Sequence, residues 1–359
     1  MIQNIQTMRV LFTFMVITAH LENAYAVIGL DKLILMFARV SVDGFIVVSA
    51  FLIPFTQALR PKLPLAFLGR RLARLVPLYW AVTLFVAAIA LALPHIFAHT
   101  VVTPETLFKS LFFIPYQKSW GQIEPIVYVG WTMNLFVAYI LLHALSLKLA
   151  GKYAWVMTTL VLLALVAFGF AFKPQEAFVK FFTGPRLLSF VAGLLLCTWW
   201  LHARHSRLFE APQKWLKPTL YAMALIGFLL CTLRDSILPL TVSRYYGPLF
   251  ACMLIAAAIM LDRIGAVHRS KLRDRLAEAS FAIYLTHYLV TEAVIRIVPR
   301  LNLTDAVTVV PVILASYVVI AVIGLFVTRV IEAPLETAVR YAWRTMTTRI
   351  ATPGPRPAP

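Results

Sequence analysis

Apolar runs of about twenty residues recur along the whole 359-residue chain. A helix of about twenty apolar residues crosses the hydrocarbon core of a bilayer, so a chain dominated by such runs is not an ordinary water-soluble domain. The sequence predicts an all-α, polytopic transmembrane helical bundle of about ten spans, at residues 8–27, 34–57, 73–94, 129–147, 154–172, 183–201, 218–234, 244–261, 277–298 and 307–331. The first run has no small-residue cleavage site, so we expect a retained helix rather than a signal peptide.

Basic residues concentrate in alternate loops between these runs. The chain has 33 lysines and arginines against 15 acidic residues, a net charge of +18. Most of the excess lies in segments that would face one side, namely 60–71, 148–152, 204–217, 263–275 and the C-terminal region. Because basic loops stay in the cytoplasm, we expect both termini there. The short loops that carry this charge argue against a nucleic-acid partner.

The runs leave no room for a separate soluble domain. We expect one transmembrane domain at 1–335 and a basic, Pro-rich cytoplasmic tail at 336–359, whose end TPGPRPAP is typical of disorder. The longest outward loop, about 95–128, holds His95, His99 and a candidate interfacial or re-entrant segment, FKSLFFIPY. The three cysteines have unrelated spacings, which predicts neither a disulfide framework nor a metal site.

Ionisable side chains inside a span are costly, which makes each one a candidate functional residue. Arg9 and His20 are eleven residues apart in the first run. This is three helical turns, so they share one face, about 16 Å apart along the axis. A histidine inside a bundle is the usual base for a hydroxyl nucleophile. The alternative is a structural histidine bonded to a neighbour.

Two further pairs of charged residues stand out. Arg39 and Asp43 lie one turn apart in the second run, where they either neutralise each other or place Asp43 to orient His20 and stabilise its imidazolium. Arg71 and Arg74 lie three residues apart at the start of the third run. Arginine binds phosphates in a bidentate manner, so this pair predicts an anion site. The alternative is charge that only sets the orientation of the helix.

Five segments combine these residues with further motifs. They are IQTMRVLFTFMVITAH (Arg9, His20), SVDGFIVVSAFLI (Asp43, Phe45, Ser49, Phe51), RRLARLVPLYW (Arg71, Arg74, Pro77, Tyr79, Trp80), SFAIYLTH (Ser280, Tyr284, His287) and IEAP (Glu332, Pro334). In this order they resemble acyltransferase family 3 of integral membrane proteins, over essentially the full length. The opening IQTMR is similar to the branch that acetylates bacterial exopolysaccharides. Ala50 replaces a usual glycine, and Phe136 stands where the family commonly has a glutamate, whose role is absent or is filled by another group such as Asn134.

The resemblance implies an O-acyltransferase of the bacterial inner membrane that acts among membrane lipids. It would transfer an acyl group, expected to be acetyl from acetyl-CoA, to a sugar hydroxyl of an exopolysaccharide, another surface glycan or a lipid-linked oligosaccharide. No permanently bound cofactor is expected. The implied catalytic residues are His20, Asp43 and Arg9, and the implied acetyl-CoA ligands are Arg71 and Arg74. The expected substrate contacts are Ser49, Trp131, Asn134, Tyr284 and His287, with Ser49 or Asn134 as candidate oxyanion donors.

Several alternatives stay open. His20 acts either as a base during direct attack or as the carrier in an acyl-histidine relay. A transporter or flippase of a lipid-linked glycan is the main rival, because buried charges also line translocation paths. The sequence shows no clear repeated halves, which disfavours that rival. A catalytically silent membrane scaffold is the second rival, and the presence of Arg9, His20 and the arginine pair argues against it.

Overall fold

The computed structural model describes residues 2–93, 100–206, 209 and 213–351. The α-helices are α1 Gln3–His20, α2 Glu22–Ala26, α3 Asp31–Leu59, α4 Pro64–Ala92, α5 Pro104–Leu111, α6 Trp131–Ala150, α7 Ala154–Phe172, α8 Ala177–Phe182, α9 Leu187–Ala203, α10 Gln213–Ile237, α11 Leu240–Arg263, α12 Lys271–Glu278, α13 Ser280–Arg300, α14 Ala306–Val327 and α15 Ala333–Ala351. Short 3-10 turns lie at Tyr128–Gly130 and Gly151–Tyr153, and a π turn at Thr328–Glu332. The described residues contain no strand, which confirms the all-α prediction.

Eight stretches within the described residues are long and apolar enough to cross a membrane. They are Asp31–Leu59, Pro64–Ala92, Tyr128–Phe172, Ala177–Ala203, Lys214–Leu233, Tyr245–Arg263, Ser280–Arg300 and Ala306–Trp343. One of them, Tyr128–Phe172, contains both α6 and α7 and so covers two predicted spans. The first predicted span, 8–27, falls on α1 and α2 and is not among the eight. The number ten and the cytoplasmic termini therefore stay predictions.

Large apolar side chains cover the outer faces of several of these helices. Exposed examples are Leu141, Leu145 and Leu149 on α6, Phe168, Phe170 and Phe172 on α7, and Leu314, Val318, Val322 and Phe326 on α14. Such extended apolar surfaces would be unfavourable in water and are suited to contact with lipid. The chain is a multi-pass membrane protein.

Helix ends follow local sequence signals. Pro64 and Pro104 occupy the first turns of α4 and α5, where the missing proline N–H costs nothing. Thr103 caps α5 by accepting a hydrogen bond from the backbone N–H of Thr106. The segment FKSLFFIPY thus begins inside a short capped helix. Gly151 ends α6 with a φ of 52°, a left-handed conformation that favours glycine.

The described chain forms two compact units. The first unit comprises Met1–Pro61 and Lys152–Leu325, and the second comprises Lys62–Gly151 and Phe326–Pro359. Helix α15 lies in the second unit and contains residues 336–351 of the predicted tail. The predicted disorder of TPGPRPAP falls on residues 352–359, which lie outside the described residues.

Helices of the first unit approach closely where a side chain is small. In this unit α1 packs on α3, α11 and α13, and α3 packs on α9. A Cβ added at Gly193 of α9 would collide with the backbone carbonyl of Val47 and with Ala50 on α3. Gly44 of α3 faces the ring of Phe12 on α1 in the same way. These contacts fix α1, α3 and α9 against one another.

The second unit is arranged around α4. This helix packs on α5, α6 and α15. A Cβ at Gly69 of α4 would collide with the indole of Trp343 on α15, so glycine is what allows these two helices to meet here. Gly130, just before α6, lies against the ring of Tyr79 in α4. In the second unit α15 thus lies beside the first part of α4, which carries Arg71 and Arg74.

Candidate functional site

Arg9 joins the first helix to α13 in the first unit. Its Nη2 donates a hydrogen bond of 2.7 Å to Oγ of Ser280, which is fully buried at the first position of α13. Its Nη1 donates to Oε1 of Gln6, one turn earlier in α1, at 3.2 Å. A charged guanidinium inside a bundle is expected to bond to polar groups of this kind, because burial without them is costly. Arg9 therefore fixes the register between α1 and α13.

His20, the last residue of α1, lies beside a second histidine, His287, in the first half of α13. The ring centroids of His20 and His287 are 5.2 Å apart, and the rings are tilted by 35°. Arg9 precedes His20 in α1, and their partners Ser280 and His287 follow in the same order in α13. The two helices therefore run in the same direction. His20 is partly accessible, whereas His287 is fully buried. The pair thus consists of one partly accessible ring and one fully buried ring.

Aromatic contacts extend this cluster to α3. The ring of Tyr284 lies 5.7 Å from that of His287, and it stacks on Phe45 of α3 at 5.5 Å. Ser280, Tyr284 and His287 follow one another at helical spacing, so they lie on one face of α13. The structure therefore brings motif residues of α1, α3 and α13 together within the first unit.

Asp43 is buried on α3 and bonds to a residue that the sequence did not single out. Its Oδ1 accepts a 2.9 Å hydrogen bond from Oγ of Ser189 on α9, and both side chains are buried. The side chain of Arg39 lies outside the described part of the chain, so the Arg39–Asp43 pairing stays a prediction. Ser49, partly buried on the same helix, keeps its expected substrate role as a prediction. The predicted contact of Asp43 with His20 is equally untested.

Four arginines gather in the second unit. Arg71 interacts electrostatically with Arg70, Arg74 and Arg340, and with the phenol of Tyr139. Its guanidinium carbon lies 5.7 Å from the centroid of the Phe67 ring. Like charges repel, so a cluster of this composition favours an anionic ligand. Arg340, which also bonds to Glu336, comes from α15 and was assigned to the tail by the sequence.

Asn134 lies buried in α6, one turn after Gly130. The oxygen of its side-chain amide has no hydrogen-bond partner among the described residues. A buried amide oxygen without a hydrogen-bond partner is uncommon and suits a group that meets a ligand. Phe136, at the usual glutamate position, is buried in the same helix, and Trp131 is partly buried at the first position of the helix. The substrate roles of Trp131 and Asn134 stay predictions.

The loop between α5 and α6 is tightly bonded. Nζ of Lys118 lies 3.5 Å from a carboxylate oxygen of Glu124 and 4.9 Å from the Trp120 ring centroid. Burial lowers the pKa of Lys118, and Glu124 acts in the opposite direction. Burial also raises the pKa of Tyr116, whose hydroxyl lies 3.3 Å from that of Ser110. The loop is an ordered surface of the second unit. His95 and His99 lie outside the described residues.

Sequence reasoning missed Ser189 and Arg340. Serine is common in helices and carries no charge, so no pattern in the chain points to Ser189 as the partner of Asp43. Arg340 lies in a basic segment whose charge has a sufficient explanation in membrane orientation. A signal did exist for Arg340, because it lies four residues after Glu336 in a segment with helical spacing.

The fold and these clusters define a class: a multi-pass helical membrane protein with histidine, arginine and carboxylate groups inside its helices. Comparison with known proteins gives the family. A family model described as "Acyltransferase domain", that of acyltransferase family 3, matches residues 2–329. The chain is also 33% identical over 247 residues to the "Exopolysaccharide production protein ExoZ" of Rhizobium meliloti (strain 1021), across 68% of this chain and 74% of that protein. No solved structure matches it. The chain belongs to acyltransferase family 3.

Proposed function

We propose that this membrane acyltransferase transfers an acetyl group from acetyl-CoA to a sugar hydroxyl of an exopolysaccharide, at the bacterial inner membrane. Its family supports the reaction class, and the name of the exopolysaccharide production protein to which it is similar supports the choice of acceptor. The acceptor in this proposal is the polysaccharide or its lipid-linked precursor. The observation that carries the proposal is the His20–His287 pair, held between two parallel helices that Arg9 and Ser280 connect nearer to their N-termini.

His20 is the proposed general base. It removes the proton of the acceptor hydroxyl while the sugar oxygen attacks the thioester carbonyl. The new C–O bond forms, the C–S bond breaks, and the imidazolium of His20 returns its proton to the leaving thiolate, which gives CoA and the acetylated sugar. Arg9 holds α1 in register through Ser280. Asp43 contributes a buried negative charge that favours the transient imidazolium.

The arginine cluster of the second unit is the proposed site for the phosphates of acetyl-CoA. Guanidinium groups match phosphate oxygens in geometry and charge. Arg71 and Arg74 come from the motif, and Arg340 adds a further cation from α15. The cluster has the composition that a polyanion requires, because three arginines act on Arg71. Its expected contribution is to donor binding rather than to the chemical step.

The remaining polar residues are proposed to contact the substrates. Ser49 and Asn134 are candidates to donate hydrogen bonds to the oxyanion that forms at the thioester carbonyl. Trp131 and Tyr284 offer aromatic surfaces to a sugar or to the pantetheine arm. Direct attack is the proposed mechanism. Recovery of an acetylated His20 in the absence of acceptor would replace direct attack with the relay.

The proposal is tested on the polysaccharide itself. The gene is deleted, the extracellular polysaccharide is purified, and its O-acetyl groups are measured by proton NMR. We expect one acetyl resonance to disappear and to return with the wild-type gene. His20→Ala is expected to lower transfer by about 10²- to 10⁴-fold, the usual contribution of a general base.

The control is a measurement of the same variant in membranes. His20→Ala is expected to reach wild-type abundance and to bind acetyl-CoA, because the arginines that bind the donor are unchanged. Undiminished acetylation by an abundant His20→Ala protein would refute the catalytic assignment. An unchanged polysaccharide after gene deletion would refute the choice of acceptor.

A further inference from the structure

The second histidine of the pair has a hydrogen-bonding pattern that fixes where its proton lies. Nδ1 of His287 lies 2.6 Å from the backbone carbonyl oxygen of Tyr284. A carbonyl oxygen only accepts hydrogen bonds, so Nδ1 must carry the hydrogen. In the neutral imidazole the other nitrogen, Nε2, then has a lone pair. His287 is therefore a hydrogen-bond acceptor at Nε2.

That acceptor atom is buried and unsatisfied. His287 is 0% exposed, and its Nε2 has no hydrogen-bond partner among the described residues. A buried polar atom left unbonded is costly, and such atoms are retained where a ligand or a functional group meets them. The adjacent ring is that of His20, with its centroid 5.2 Å away. The distance is short enough for a small rotation of either ring to bring a nitrogen of His20 to Nε2.

We propose that His287 is the positioning residue for His20 during acetyl transfer. In the reactive complex, Nε2 of His287 accepts a hydrogen bond from one ring N–H of His20. This bond holds His20 in the tautomer whose other nitrogen has its lone pair directed at the acceptor hydroxyl. The inference rests on the proposed function, because it needs His20 as the base.

The same bond strengthens as the reaction proceeds. When His20 takes the proton of the sugar hydroxyl, it becomes an imidazolium, and its N–H donates more strongly to Nε2 of His287. The proton that His20 gained then passes to the thiolate of CoA, and both histidines return to their starting tautomers. The backbone carbonyl of Tyr284 anchors the far side of His287 throughout. The chain of groups is carbonyl, His287, His20 and hydroxyl.

Two amide variants separate positioning from packing. His287→Gln puts an amide oxygen near the position of Nε2 and keeps the acceptor. His287→Asn keeps a donor near the position of Nδ1, beside the Tyr284 carbonyl, but is too short to reach His20. Both side chains are polar and smaller than histidine, which makes each the control for the other. Each full-length variant, with His20→Ala in parallel, is purified and assayed with acetyl-CoA and de-O-acetylated exopolysaccharide from the cells that carry the gene.

We expect His287→Gln to keep kcat within about threefold of wild type, and His287→Asn to lower kcat by about thirtyfold or more, with KM for acetyl-CoA unchanged in both. Equal kcat values in the two variants would overturn the proposal. Loss of acetyl-CoA binding in both would assign His287 to packing and would also overturn it. His20→Ala distinguishes failure of the proposed function from failure of the positioning role. If His20→Ala stays active, the proposed function is refuted. If His20→Ala is inactive while His287→Asn is fully active, only the positioning role of His287 is refuted.

Discussion

In the first unit polar groups bond to one another between helices, whereas the cluster around Arg71 in the second unit brings side chains of one charge together. Arg9 bonds to Ser280, and Ser189 bonds to Asp43, each across two helices. Arg71 instead lies among Arg70, Arg74 and Arg340. A network of bonds between partners holds side chains in place, which suits chemistry, while an excess of one charge attracts a ligand of the other sign. The difference predicts that variants in the first unit lower kcat and that variants in the second raise KM.

The largest effect expected from this comparison lies in the second unit. Arg71→Gln and Arg74→Gln each remove a charged hydrogen-bond donor, with a cost of about 1.5–3 kcal/mol. The KM for acetyl-CoA should rise about ten- to hundredfold, with little change in kcat. Titration of the purified variants with acetyl-CoA measures this directly. Arg329→Gln, an exposed arginine of the same unit, is the matched control and should leave KM unchanged. Normal acetyl-CoA affinity in both motif variants would indicate that these arginines only set the orientation of the helix in the membrane.

Two glycine variants test the packing of each unit separately. At Gly193 a new Cβ meets the backbone of Val47, which cannot move aside, whereas at Gly69 it meets only the Trp343 side chain. We expect Gly193→Ala to destabilise the protein by about 1–3 kcal/mol, and Gly69→Ala by less. Thermal unfolding in detergent compares the two variants. Trp343→Leu should rescue Gly69→Ala by making room, and equal destabilisation without rescue would contradict the packing described for α4 and α15.

Loss of the bond between α1 and α13 should have an intermediate effect on the chemistry. Ser280→Ala removes the acceptor for Nη2 of Arg9, and a weakened register between these helices loosens the His20–His287 contact. We expect kcat to fall about tenfold, since an unsatisfied buried donor costs about 1–3 kcal/mol. Ser280→Thr keeps a hydroxyl and should stay close to wild type. A change in KM for acetyl-CoA instead of kcat would contradict the expectation that variants in the first unit affect kcat and variants in the second unit affect KM.

The smallest effect is expected at Asp43. In Asp43→Asn the side-chain oxygen can still accept the hydrogen bond from Ser189, while the negative charge is lost. If His287 positions His20, kcat should fall only about three- to tenfold. Initial-rate measurements at saturating acetyl-CoA settle the value. A decrease in kcat of a thousandfold or more would indicate that Asp43, and not His287, positions His20.

The sequence predicts the helical class well because membrane spans are marked by length and composition alone. It also brings Arg9 and His20 to one face of α1, since the helical period is fixed. It does not find Ser189, whose role depends on how α9 packs against α3 around Gly193. Nor does it find the partner of His20, because the motif with His287 lies far along the chain and carries no information on which helix it meets. Contacts within one helix follow from periodicity, and contacts between helices do not.

The bond between Arg9 and Ser280 also constrains how the protein is made. Its two residues are 271 positions apart. Ribosomes add roughly 5–20 residues per second, so Arg9 is synthesised tens of seconds before its partner exists. Until then, Gln6 is a hydrogen-bond partner that Arg9 has within its own helix. The contact between α1 and α13 therefore forms only late in translation, after Ser280 has been synthesised.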